Sequence, residues 1–375
     1  MRTYGLASAA EFLGDQIVFR NLEPQDADLP GLRCSTPRLG LPAGRIPRKH
    51  ELDYARVVAH VLQMARQRQS DAPLRRLVFV GDTDLLDGTA FANLCQVTGW
   101  NGLAFIGAET AAPPAVDLKP CPGGALYLAN RWESLLEFDL YCAQAGLPVD
   151  EQTAVVIDLD KTILGARGRN GGAIDRARST AMEQTISALL QGRSGLERFQ
   201  PVYRLFNQAE FHPFTSDNQD YLAYVCWMVL ADVVEASALA ESVRRGEVAS
   251  FDQFIAQMDT RRGEFGPEIA QAHHEVYACV RAGDPTPFKA FRRNEYLITF
   301  RAMGCMPEGS SLAALLENEI VLTQEVRQMA LEWKNRGALV FGLSDKPDEA
   351  AVPNPALAEQ GYLPLHRAQT HAVGS

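Results

Sequence analysis

Ala154-Val155-Val156-Ile157-Asp158-Leu159-Asp160-Lys161-Thr162-Ile163-Leu164 runs four apolar residues straight into two carboxylates one residue apart, then a threonine. The apolar run reads as a strand buried on both faces, as in a parallel sheet covered by helices. Asp158 and Asp160 then fall at its carboxyl end, where open α/β sheets place their ligand chemistry. Carboxylates delivered into a crevice by a hydrophobic strand need compensating charge, most simply a divalent cation. Taken alone, the same letters fit an Asp-rich turn after a strand. The rest of the chain has to decide.

Two further apolar runs end in the same way. Leu77-Val78-Phe79-Val80-Gly81-Asp82 is followed by Thr83, Asp84 and Asp87, and Ala338-Leu339-Val340-Phe341-Gly342-Leu343 ends in Ser344-Asp345-Lys346. In a right-handed parallel sheet the ends of all three strands converge on one edge. Helical spacing over 50–69, 89–97, 132–145 and 322–335 supplies covering helices, and 102–107 suits another short strand. A connector at 113–124 and a weak strand at 362–366 complete that part. The fold class expected is α/β, a three-layer Rossmann-like parallel sheet. Residues 1–48 are rich in Pro and Gly and read as an arm of little regular structure. From 174 to 303 strand signals nearly vanish, and helical stretches at 221–243, 251–259, 268–280 and 288–303 form an inserted module. The expected organisation is an arm over 1–48, an α/β core over 49–164 and 320–375, and a helical module over 165–319.

Composition bounds the function. The 375 residues are 46% hydrophobic and 22% charged, ordinary values for a globular protein. A net charge of −10 disfavours non-specific nucleic-acid binding. Seven cysteines without a C-x-x-C pair read as reduced thiols. With no apolar run long enough for a membrane span and no signal-like N-terminus, a cytoplasmic protein without membrane association is expected.

The three strand ends together resemble the haloacid dehalogenase (HAD) superfamily. The family's first motif, D-x-D-x-T after an apolar strand, is matched by Asp158, Asp160 and Thr162. A Ser or Thr closing an apolar strand is matched by Ser344. The fourth motif, G-D with a later Asp, is matched by Gly81, Asp82 and Asp87. Lys49 has the place of the third, a cation ahead of the preceding helix. The order departs from the family: third, fourth, first, second, the same cycle cut at another point. The resemblance therefore implies a circularly permuted core, against the alternatives of two separate α/β modules or a chance G-D turn.

The resemblance implies Asp158 as the nucleophile that forms an aspartyl-phosphate and Asp160 as its acid/base partner. It implies Mg²⁺ held by Asp158, Asp160 through its carbonyl, Asp82 and, directly or one layer out, Asp87. Ser344 would bind a phosphoryl oxygen, with Thr162 beside the substrate. Two lysines compete for the charge-neutralising role, Lys49 by cyclic place and Lys346 by its nearness to Ser344. Lys161 is expected to turn away, and Asp84 and Asp345 to face solvent or cap. In this family a module between the first and second motifs is a cap, so 165–319 is expected to be one. Its glycines at 165, 168, 171 and 172 suit a flap from which Arg167 and Arg169 could hold a second anionic group. Arg292 and Arg293 read as a solvated basic face, His273 and His274 as structural, and Trp227 as module core.

The activity implied is a Mg²⁺-dependent phosphatase acting on a phosphorylated small molecule. Its competitors are a phosphotransferase or phosphomutase on the same fold, a receiver domain, and a non-catalytic binding or scaffold protein. Two roles are open for the arm: covering a sheet edge, or contributing to a homodimer.

Overall fold

The computed structural model describes residues 1–191 and 195–375, which divide into an α/β unit (Met1–Arg176 with Thr299–Ser375) and a helical unit (Ala177–Ile298). Among the described residues ten strands, all in the α/β unit, are β1 (Arg2–Ala7), β2 (Ile17–Val18), β3 (Arg76–Gly81), β4 (Asn101–Gly107), β5 (Val116–Cys121), β6 (Gly124–Ala129), β7 (Thr153–Asp158), β8 (Leu322–Thr323), β9 (Leu339–Leu343) and β10 (Thr370–Gly374). Seven form the central sheet in the order β2-β9-β7-β3-β4-β6-β5, parallel except for the antiparallel edge strand β5. β1, β10 and β8 make a separate small sheet. The α/β class with a mostly parallel, Rossmann-like sheet follows directly.

β7 lies inside the sheet between β9 and β3, and all six of its residues are buried. Period-two alternation explains its all-apolar run: Ala154 and Val156 join one cluster with Leu77 and Phe79 of β3, Phe341 of β9, and the helices Leu52–Gln69 and Thr89–Thr98. Phe105 of β4 turns to the other face and meets Phe138 of the helix Ser134–Gln144 edge-to-face. The helix Gln324–Asn335 joins that layer, where Trp333 donates to Asp139 at 2.7 Å.

Register then sets the functional edge. Ile157 lies opposite Val80, and Asp158 opposite Leu343. Asp82 and Ser344 therefore fall one step beyond Asp158's level on the two neighbouring strands. All three strand ends meet at one edge.

Residues 1–48 differ from the expected irregular arm. β2 pairs with β9 and closes the sheet edge, β1 pairs with β10, and Leu32–Leu39 is helical. Phe12, Leu13, Ile17, Val18 and Phe19 are almost fully buried. A segment dense in turns hid a two-residue strand whose apolar run was too short to show a period. The connector at 113–124 likewise contains the whole of β5, hairpinned to β6. The weak strand at 362–366 is instead a 3₁₀ turn at Leu365–Arg367, and the C-terminal strand is β10.

In the helical unit, the stretch 221–243 is two helices, Gln219–Leu230 and Ala236–Arg244, separated where Asp232 takes φ 56° and Glu235 caps the second. Trp227 and Tyr224 are core residues, and the Tyr224 hydroxyl meets His273 Nδ1 at 2.7 Å. Arg292 corrects the solvated-face reading: it is buried, 2.6 Å from both Asp220 and Glu295, because the two acids offset its desolvation. Among the described residues no helix is long and apolar enough to cross a membrane.

The five buried side chains of the first segment contribute about 1.5–3 kcal/mol each, together comparable with the about 5–15 kcal/mol net stability of a domain. A chain lacking residues 1–20 is therefore expected to lose cooperative thermal unfolding. A dispensable arm would leave the transition unchanged by circular dichroism.

Candidate active site

The tight turn after β7 sorts the motif residues. Lys161 takes φ 65°, and the Lys161 and Leu164 amides donate to the Leu164 and Leu159 carbonyls. The turn sends Lys161 to Asp175, at 2.8 Å, away from its two neighbouring acids as expected.

Lys49 is almost fully buried, and its ammonium lies 2.6 Å from Asp158 and 2.6 Å from Asp87. Asp87 is held in turn by the other end of its carboxylate, which accepts from the amides of Asp82 and Thr83 and from the Thr83 hydroxyl. This fold-back accounts for Gly81: a Cβ there would lie 2.5 Å from Asp87 Cγ. Carboxylate oxygens of Asp82, Asp87 and Asp158 all lie within 4.8 Å of one another, and all three residues are buried. They are contributed by two adjacent strand ends and one π turn, Asp84–Gly88.

The second lysine has a different partner. Lys346 Nζ lies 3.0 Å from Asp160, and the Lys346 amide donates to the Ser344 hydroxyl at 3.1 Å. The structure thus gives Lys49 to the candidate nucleophile and Lys346 to its candidate proton partner. Arg167 pairs with Asp82 at 2.5 Å. Asp84 pairs with Lys119 and Asp345 with Arg20, both acids partly exposed. The Thr162 hydroxyl is fully enclosed and meets no partner among the described residues. Its carbonyl accepts from Thr323. Thr162 is thus enclosed in the turn that follows the two acids.

Arg169 corrects the flap reading. Its side chain is 1% exposed and lies 2.6 Å from Glu109 and 2.8 Å from Glu325. Gly168 between the two arginines takes φ 79°, and a Cβ there would lie 1.9 Å from the Glu109 carbonyl oxygen. Asn170 donates to the Leu316 and Glu319 carbonyls. The glycines permit close backbone approach, and the segment they occupy is anchored in the α/β unit. The helical unit accordingly begins at Ala177 rather than 165 and ends at Ile298 rather than 319.

Electrostatics distinguish the three acids. Burial works against the Lys49 charge, but Asp158 and Asp87 outweigh it and raise its pKa. Burial also penalises Asp87, yet Lys49 and the two amides hold its pKa below the usual range. Asp158 goes the other way: burial, reinforced by Asp87 and Asp82, pushes it well up in spite of Lys49. Asp82 is pushed up to about 6 by burial and Asp87, with Arg167 opposing. With all three ionised, the carboxylates exceed Lys49 and Arg167 by one negative charge, and the raised pKa values of Asp158 and Asp82 reflect burial together with this mutual repulsion. A set of hard carboxylate oxygens with surplus negative charge fits a divalent cation, and the cluster could hold one.

Sequence reading missed several supporting residues. The Ser344 amide donates to the Val18 carbonyl and the Arg20 amide to the Lys346 carbonyl, so the first segment pins the loop that carries Ser344 and Lys346. Thr83, directly after the G-D pair, signals the cap that Asp87 accepts. Glu109 and Glu325 carry no such local signal.

Comparison with family models, curated proteins and solved structures finds no match to this chain.

Two measurements follow from this geometry. Arg169→Gln strands Glu109 and Glu325 and is expected to cost about 3–5 kcal/mol in urea unfolding, whereas Arg167→Gln, on a half-exposed side chain, costs about 1 kcal/mol or less. The native pKa of Asp82 lies above its unfolded value. Without a cation, its share of stability is therefore complete below about pH 4 and is lost as pH rises through about 6. Mg²⁺ or Mn²⁺ is expected to raise the melting temperature at pH 7.5. The gain should shrink at pH 5, where protons compete, and vanish in Asp82→Asn.

Proposed function

We propose that this chain is a Mg²⁺-dependent phosphatase of the HAD type, with a permuted core, that hydrolyses a phosphorylated small molecule. The observation that carries the reading is the buried Lys49 ammonium bridging Asp158 and Asp87 beside Asp82. A scaffold has no need to sink one cation among three acids at a sheet edge, since such a constellation costs desolvation. Perturbed, charge-coupled carboxylates at a strand-end edge are where chemistry concentrates.

In this reading Asp158 attacks phosphorus and forms an aspartyl-phosphate, and water then releases phosphate from it. Asp82, Asp158 and the Asp160 carbonyl would hold Mg²⁺, whose charge keeps the carboxylates ionised and polarises a phosphoryl oxygen. Both oxygens of Asp87 are already engaged, so Asp87 acts by fixing Lys49. Lys49 neutralises charge developing on the transferring group, and Ser344 donates to one of its oxygens. Asp160 protonates the leaving oxygen and later deprotonates water, and Lys346 orients its carboxylate. A halide leaves without a proton, so the presence of Asp160 favours phosphate esters or anhydrides. The helical unit occupies the place in the chain where this family carries a cap.

A Mg²⁺-dependent screen against phosphorylated metabolites is expected to yield turnover that Asp158→Asn abolishes. Asp160→Asn should keep the cation-induced rise in melting temperature while losing about 10²-fold or more in kcat. Full activity in Asp160→Asn would remove the acid/base role, and no turnover on any phosphate ester would remove the phosphatase reading.

A further inference from the structure

Five lysines and arginines are buried among the described residues, and four of them face a carboxylate. Arg20 lies 3.3 Å from Asp345, Lys49 2.6 Å from Asp158, Arg292 2.6 Å from Asp220 and Lys346 3.0 Å from Asp160. The fifth is Arg66, in the last turn of the helix Leu52–Gln69 and 4% exposed. Its Nη2 donates to the Gly337 carbonyl at 3.0 Å, and its Nε meets no partner among the described residues. No described carboxylate is ion-paired with it. Arginine is almost never buried unpaired, because a buried ion without a counter-ion keeps its whole desolvation penalty. The helix C-terminus beside it supplies the equivalent of about half a negative charge at most, so the remainder is uncompensated.

Arg66 lines a cavity of about 330 Å³ together with Ser70, Leu74 and Trp100. That volume falls within the range of small-molecule sites. Leu74 stands two residues before β3 and Trp100 directly before β4, so the cavity lies at the strand-start edge of the sheet. Asp82, past the other end of β3, is about 20 Å away, the length of a six-residue strand. Asp71 is the one acid in the lining, and it is exposed and makes no ion pair with Arg66.

We infer that this cavity is a second ligand site, which takes a small carboxylate or phosphate anion as the counter-ion that Arg66 lacks. One of the five guanidinium N–H groups is spent on Gly337, and the planar fork suits either kind of oxyanion. The inference stands without the phosphatase reading, since the cavity and the acid cluster lie at opposite edges of the sheet.

The test titrates wild type, Arg66→Met and Gln63→Glu by calorimetry with sodium malonate and, separately, sodium phosphate. Divalent cations are left out and ionic strength is held constant. Malonate reports a carboxylate ligand and phosphate a phosphorylated one. Gln63 lines the same cavity three residues before Arg66, so a glutamate there supplies the absent acid on the same helix face. Wild type is expected to bind at least one of the two anions, and both variants to bind it about tenfold or more weakly, by loss of the cation or by its prior pairing. Binding of neither anion by wild type, or undiminished binding in a folded variant, overturns the inference. If Arg66→Met fails to fold, Gln63→Glu alone decides.

Discussion

The interaction on which the rest depends is the Lys49 ammonium, 2.6 Å from both Asp158 and Asp87. A buried ammonium is tolerable only with its carboxylates in place, and buried carboxylates only with a cation beside them. The contact joins residues 38 and 109 positions apart in the chain. Each partner comes with its own scaffold: a fully buried strand for Asp158, a folded-back turn over Gly81 for Asp87, and the turn that leads into the helix Leu52–Gln69 for Lys49. With Asp82 added, the acids exceed the cations facing them. That excess fits a divalent cation, which the three carboxylates could hold.

Around this centre, the anchoring is supplied by parts of the chain that look peripheral in one dimension. β2 adds only two residues to the sheet, yet the segment around it fixes the Ser344–Lys346 loop by backbone hydrogen bonds. Arg169, on a glycine-rich stretch that suggests mobility, is instead held between Glu109 and Glu325. Glycine there serves proximity: at Gly168 a side chain would meet the Glu109 carbonyl. The same letters encode a flexible loop or a close backbone crossing, and only the neighbour that crosses tells them apart.

Legibility followed the strength of local patterns. The interiors of β3, β7 and β9 were readable because strands buried on both faces are apolar without interruption, and the helix Leu52–Gln69 because its spacing is sustained. β5 was not: it is an exposed edge strand carrying Asp, Lys and Pro, which resembles a connector. The break between Leu230 and Ala236 was also hidden, since apolar spacing continued across a turn made by one left-handed aspartate. Among the site residues, Asp158, Asp160, Asp82, Asp87 and Ser344 were visible as strand endings.

The sequence by itself determined the α/β class, the three apolar strands, and the acids and serine at their ends, because burial on both faces and chain direction are written locally. The tertiary structure decided that those ends meet at one edge, in a register that levels Asp82 and Ser344 just beyond Asp158. It also decided which lysine serves which acid, sending Lys49 to Asp158 and Lys346 to Asp160. Pairing of charges depends on distances across strands far apart in the chain, and no local pattern encodes those distances.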